Sequence, residues 1–278
     1  MRLGISNIAW DVGEDAAMAR LLQSYAVDAI DVAPTKYFPD PEATADRDVD
    51  RVRRWWRGQG VEITGMQSLL FGTQGLNLFA GPEVQQAMLL HLDAVCRIGA
   101  GLGARRLVFG SPRNRDRAGL DDPRATEIAV GFFRRLGAIA RARGVTICLE
   151  PCPRRYGANF MTTTLETAAV VERVAHPNIR MQLDTGCLAI TGEDPAATLQ
   201  ACSGAIGHIH ASEPDLVPLG SAGTDHEPIA EAIRRHLKRP LVTIEMVATT
   251  DQPHPRSVAS ALAFAVRHYR NPDPSSDA

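Results

Sequence analysis

Four short apolar runs in the second half of the chain each end on a side chain that can ligate a hard or borderline cation. Val145–Glu150 closes on Glu150, Ile179–Asp184 on Asp184, Ala205–His210 on His210, and Leu241-Val-Thr-Ile-Glu245 on Glu245. Successive members stand 34, 26 and 35 residues apart. Three carboxylates and an imidazole at one point suit Mn²⁺, Mg²⁺ or Co²⁺, with Zn²⁺ after them. Burying three carboxylates together without a cation is expensive, so the set implies the metal. A cation with open positions can chelate a carbonyl oxygen and the neighbouring hydroxyl, stabilising the enediolate left when the α-proton departs. His208 lies on the same strand face as His210 and competes for its role. The strand-end position favours His210, with His208 one layer deeper.

These residues need a scaffold that gathers strand ends. Eight apolar or β-branched runs read as strands: Arg2–Asn7, Ala29–Ala33, Val61–Leu69, Arg106–Gly110, Val145–Glu150, Ile179–Asp184, Ala205–His210 and Leu241–Met246. Stretches of helical period lie between them. Met18, Leu21, Leu22 and Tyr25 share one face; so do Val84, Met88, Leu92 and Val95, then Ile128, Phe132, Leu136 and Ile139, and finally Val258, Leu262, Val266 and Tyr269. Eight strand–helix pairs in this length predict an α/β chain folded as a single (β/α)₈ TIM barrel, whose chemistry sits at the C-terminal strand ends. No GxGxxG or GxxxxGK[ST] loop follows the first strand, which disfavours an open nucleotide-binding sheet. Residues 1–270 read as one catalytic barrel, and the Pro-, Ser- and Asp-rich 271–278 as a frayed tail.

Composition narrows the class further. The 278 residues are 45% hydrophobic and 22% charged, which is ordinary globular usage. A net charge of −2 supplies no basic field for nucleic acid or an anionic membrane. The start, Met1-Arg2-Leu3-Gly4-Ile5, lacks the apolar core of a signal peptide, and the greasiest stretch, 87–102, is broken by His91, Asp93 and Arg97. Five scattered cysteines form no CxxC pair, which argues against a disulfide framework or a thiolate zinc site. A soluble, cytoplasmic protein is expected, with exposed outer helices that leave room for a homo-oligomer.

Leu149-Glu150-Pro151, Gln182-Leu183-Asp184-Thr185-Gly186, His208-Ile209-His210 and Thr243-Ile244-Glu245-Met246 resemble the xylose-isomerase-like TIM barrels. That superfamily contains sugar-phosphate isomerases and epimerases, ketose 3-epimerases, hydroxypyruvate isomerase, inosose dehydratase and endonuclease IV. The resemblance runs from Ile5-Ser6-Asn7 to the last strand. It implies a divalent metal, commonly Mn²⁺, at Glu150, Asp184, His210 and Glu245. It also implies Glu150 and Glu245 as the catalytic pair on opposite faces of a carbohydrate-like substrate, one deprotonating and the other reprotonating. Epimerisation or isomerisation of a sugar or related polyhydroxy carbonyl compound is the leading expectation. A dehydratase of the inosose type and a non-catalytic sugar-binding barrel are the alternatives. The nuclease branch fits poorly, since Gln67 stands where a histidine is needed and no basic face is evident. The chain also departs from the ketose 3-epimerases. Gly157 replaces a glutamate, Cys187 and Leu188 stand where a histidine is found, and Leu216 replaces an arginine. Each change removes a polar contact, so a substrate other than an ordinary free ketose is expected.

Further substrate contacts are expected from rim residues. Gln67, Ser68 and Asn7 end early strands, and Lys36 follows the second. Arg113, with Arg115 and Arg117 in the same loop, is a candidate for holding a phosphate or carboxylate. Glu213 could bond a substrate hydroxyl or orient His210, and His226 could point into the site while Asp225 caps the next helix. Trp10 and Phe71 fall in rim loops and could stack on a sugar face, whereas Trp55 and Trp56 read as packing. Cys148, Cys152 and Cys187 read as small buried side chains near the site.

Overall fold

All eight apolar runs form parallel strands, and helices carry the chain back between them. The computed structural model describes residues 1–270, so the tail expected at 271–278 lies outside the described residues. In order the elements are β1 (Arg2–Ser6), α1 (Asp15–Ser24), β2 (Ala29–Val32), α2 (Asp46–Gly58), β3 (Glu62–Met66), α3 (Pro82–Leu102), β4 (Arg106–Phe109) and α4 (Asp122–Arg143). There follow β5 (Thr146–Leu149), α5 (Thr164–Val174), β6 (Ile179–Asp184), α6 (Thr185–Thr191), α7 (Pro195–Cys202), β7 (Ile206–Ser212), α8 (His226–His236), β8 (Leu241–Glu245) and α9 (His254–His268). Each strand pairs with the next, and β1 closes the barrel on β8 with Leu3 opposite Val242 and Ile5 opposite Ile244. This is a (β/α)₈ barrel.

The two-residue strand period explains why the polar residues gather inside. Ile147 and Leu149, Met181 and Leu183, Ile209 and Ala211, and Val242 and Ile244 are all buried in the apolar core. The intervening positions, Cys148, Gln182, His208, His210, Thr243 and Glu245, are buried without belonging to that core. Contacts across the barrel confirm the direction: β2 meets β7 through Asp31 and His208, and the end of β3 meets β8 through Gln67 and Glu245.

Three local differences from the sequence reading have physical causes. The third strand stops at Met66 because the chain turns at Ser68, whose φ of 56° is left-handed. The seventh runs on to Ser212, which pairs beside Glu245 on β8. One expected helix after β6 is two: Gly192 ends α6 in a left-handed conformation, and Asp194 with Pro195 restarts the chain as α7.

Candidate metal centre

Glu150, Asp184, His210 and Glu245 meet at the C-terminal mouth of the barrel, with one donor atom from each inside a 4.8 Å cluster. Register assembles them, since Asp184 pairs with His210 and Glu245 with Ser212. Asp184 also starts α6: its Oδ1 accepts the Cys187 N–H at 2.7 Å, and its Oδ2 accepts the Ser212 hydroxyl at 2.7 Å. Glu245 Oε1 accepts from the Gln67 amide. Glu150 lies over Gly110 at the end of β4, where a Cβ would come within 1.6 Å of its Oε2. Only glycine leaves room for this carboxylate. Beneath it the fully buried Arg115 donates to the carbonyls of Glu150 at 2.5 Å and Gly110 at 3.1 Å, tying together the two loops that frame the site.

His210 is held from behind. Its Nε2 faces Asp31 Oδ2 at 3.4 Å, and the same oxygen lies 2.5 Å from His208 Nε2. His210 Nδ1 points at the carboxylates, 3.2 Å from Glu245 Oε2 and 3.9 Å from Glu150 Oε1, yet is buried with no aligned hydrogen bond. A carboxylate on Nε2, with Nδ1 unpartnered and facing the other carboxylates, is the arrangement of a histidine that ligates a metal through Nδ1 once its proton there has left. Electrostatics agree. Burial first, then the charges of Glu245 and Asp184, push Glu150 up to about 8. Burial and Glu245 likewise push Asp184 up to about 6. Burial works against a charged His210, but Glu245 and Asp31 outweigh it and hold its proton well above the ordinary range. Burial would raise Asp31, whereas His208 and His210 hold it well below the usual carboxylate range. Three crowded carboxylates and one imidazole nitrogen form a donor set that a divalent cation fits.

Comparison with known proteins places this architecture. The family model of the xylose isomerase-like TIM barrel matches residues 19–267. The chain belongs to that family. It is 30% identical over 117 residues to an L-ribulose 3-epimerase of Methylomonas sp. (strain DH-1), covering 42% of this chain and 41% of the relative. A second L-ribulose 3-epimerase, of Mesorhizobium japonicum, is 31% identical over 94 residues, 34% of this chain and 31% of its own length. The matches thus span well under half of either relative. A crystal structure of D-psicose 3-epimerase in the presence of D-fructose superposes with a TM-score of 0.81 at 18% identity, covering 98% of this chain and 100% of the other. No helix among the described residues is long and apolar enough to cross a membrane.

Within this family barrel the other candidates divide sharply. Gln67 and Arg113 line a cavity of about 550 Å³ on the β3–β4 side of the centre, together with Phe71, which is 71% exposed. Trp10 is corrected: it is fully buried, packs 6.4 Å from Trp56, and donates Nε1 to Asp15 at 2.8 Å, so no face is left for a sugar. Lys36 is also corrected, because its ammonium donates to the Trp10 carbonyl and it lines neither cavity at the centre. His226 is buried between Tyr269 Oη at 2.6 Å and Glu213 Oε1 at 3.3 Å, and does not reach the mouth. Glu213 borders a second cavity, but its carboxylate accepts from Gly220 N at 2.9 Å and from Thr224, and orients the 213–226 loop rather than His210. Asn7 likewise spends its Oδ1 on the Ala33 N–H.

Sequence reasoning missed Asp31, Ser212 and the part played by Arg115. An aspartate inside the apolar run Ala29-Ile30-Asp31-Val32 was the available signal, since a buried carboxylate needs a partner. Asp31→Asn is expected to weaken divalent-metal affinity about 10- to 100-fold. Competition against a chromophoric chelator measures this, and unchanged affinity would remove Asp31 from the metal's support. Gly110→Ala tests placement in the same way. Its methyl must displace the Glu150 carboxylate while leaving the fold intact, so a loss of activity of about 10²-fold is expected with little change in melting temperature.

Proposed function

We propose that this chain is a divalent-metal-dependent epimerase or isomerase of a sugar or related polyhydroxy carbonyl compound, with Mn²⁺ as the working ion. The observation that carries the reading is that Glu150 and Glu245 each border both cavities at the barrel mouth. A substrate laid across the centre passes between two carboxylates. Glu150, Asp184, His210 and Glu245 would hold the cation, which when bound polarises a carbonyl and offsets the negative charge that develops beside it. The protein's own residues then govern the proton. One glutamate takes it from the carbon next to the carbonyl, and the other returns one. Return to the same carbon from the other face inverts it; return to the neighbouring carbon exchanges aldose for ketose. Gln67 holds Glu245 in place, while the carbonyl anchors of Arg115 fix the backbone under Glu150. The L-ribulose 3-epimerase relatives support this reaction class.

The test is solvent-proton exchange. The Mn²⁺-loaded protein is incubated in D₂O with ketoses, their phosphates, hydroxypyruvate and inososes, and products are followed by NMR and mass. Deuterium entering beside the carbonyl with carbon skeleton and mass otherwise conserved is the expected result. Loss of water would replace the epimerase reading with a dehydratase. No exchange across the panel, with metal binding demonstrated, would count against proton-transfer catalysis.

A further inference from the structure

The two cavities that share Glu150 and Glu245 differ in chemistry. The larger, of about 550 Å³, is mixed: Ser68, Gln74 and Arg113 offer polar groups beside the apolar Leu69, Leu70 and Phe71. The smaller, of about 430 Å³, is walled by Cys152, Pro153, Tyr156, Cys187, Ile190 and Leu216. On its inner side it is closed by Glu150, Asp184 and Glu245 of the centre; on its outer side Asp215 pairs with Arg155 at 2.8 Å, and its N–H donates to Tyr156 Oη at 2.6 Å. Glu213 is bound by its own loop. Each cavity falls in the size range of a small-molecule site. A free ketose, polar on every face, would fill the first and leave the second wetted against apolar walls.

The apolar wall is held deliberately. Asp215 and Leu216 adopt consecutive left-handed conformations, φ 60° and 53°, which non-glycine residues rarely do. Two backbone contacts hold them: the Asp215 N–H donating to the Tyr156 hydroxyl, and the Val247 N–H donating to the Leu216 carbonyl at 2.9 Å. Val247 lies two residues beyond Glu245, so the strained turn is anchored to the strand that carries a proton-transfer carboxylate.

We propose, resting on the carbonyl chemistry above, that the substrate is a keto-sugar bearing an apolar ring-sized substituent, an aryl or alkyl glycoside rather than a free ketose. The sugar occupies the larger cavity, where polar groups are available, the substituent the apolar one, and the reacting carbon lies between Glu150 and Glu245. The proton balance is unchanged: one carboxylate accepts the carbon-bound proton, the other supplies its replacement, and no further reactant is needed.

The test uses the Mn²⁺-loaded full chain with paired methyl and phenyl glycosides of the same hexopyranose, oxidised to the ketone at C2, C3 or C4, beside the free ketohexoses. At one or more ketone positions, the phenyl compound is expected to bind about 10- to 100-fold tighter than its methyl counterpart, from burial of the ring. Ile190→Gln and Leu216→Gln should each reduce that ratio several-fold by weakening the phenyl compound more than the methyl one. Circular dichroism and melting temperature establish that the variants fold. No phenyl preference in the native protein, absence of phenyl binding included, overturns the proposal, as does a preference that both folded variants retain. Deuterium exchange separates the two readings. Exchange on free ketoses with kcat/KM equal to that on phenyl glycosides keeps the epimerase and discards the apolar subsite. Phenyl-selective binding without exchange on any ketone keeps the subsite and discards the epimerase.

Discussion

Glu150→Gln and Glu245→Gln are each expected to cut solvent-deuterium exchange about 10²- to 10⁴-fold, the range for losing a positioned proton carrier. Glutamine keeps the shape of the side chain but can neither accept the substrate proton nor contribute a full negative charge to the cation. The variants should still fold. Indeed the metal-free Glu150→Gln protein is expected to melt a few degrees higher than metal-free native protein at pH 8 and above. The reason lies in the crowding: burial, Glu245 and Asp184 resist the charged form of Glu150 up to about pH 8, and an amide removes that conflict. Higher thermal stability with lost turnover is the signature of residues kept for chemistry. Near-native exchange in either variant would end its role as a proton carrier. A large fall in the melting temperature of metal-free Glu150→Gln would show that its charge supports the fold.

The scaffold was legible because barrel strands advertise themselves as β-branched runs and barrel helices as apolar stripes. Val145–Glu150 and Ile179–Asp184 needed no tertiary information to be read as strands ending in ligands. What could not be read was which distant side chain stands behind each ligand. Asp31 and His208 are 177 residues apart, and only closure of the barrel brings β2 opposite β7. The arginine loop after β4 shows the same limit. Arg113, Arg115 and Arg117 alternate in sequence, yet the loop buries Arg115 completely and leaves Arg113 exposed beside the cavity. Trp10 failed for a related reason. A tryptophan in a rim loop suggests a sugar platform, but Asp15 in the first turn of α1 offers its indole N–H a buried acceptor, and Trp56 offers a packing surface. Rim position says where a loop is; its interior partners decide which way it faces.

Adding Mn²⁺ to metal-free protein is expected to raise the melting temperature more at pH 8 than at pH 5. In the metal-free fold Glu150 keeps its proton up to about pH 8 and Asp184 to about pH 6, both above their ordinary 4.5 and 3.8. A carboxyl whose pKa is raised by folding contributes stability that is complete below its unfolded pKa and is lost as pH climbs through the folded one. These two groups therefore weaken the metal-free protein progressively between about pH 4 and pH 8. The cation acts in the opposite sense, because its ligands must be deprotonated and its affinity rises over the same interval. At a free concentration of 100 times its Kd, it stabilises by about 2.7 kcal/mol. For a barrel of this size that corresponds to roughly 5–8 °C at pH 8, shrinking to a degree or two at pH 5. Differential scanning fluorimetry after chelation and re-addition reads the whole series. The proton on His210 adds a second signature, since it sits on the imidazole that must become a ligand and should be released on binding. A melting temperature indifferent to Mn²⁺, or a shift equal at both pH values, would mean that the four residues do not hold a cation through their charged forms.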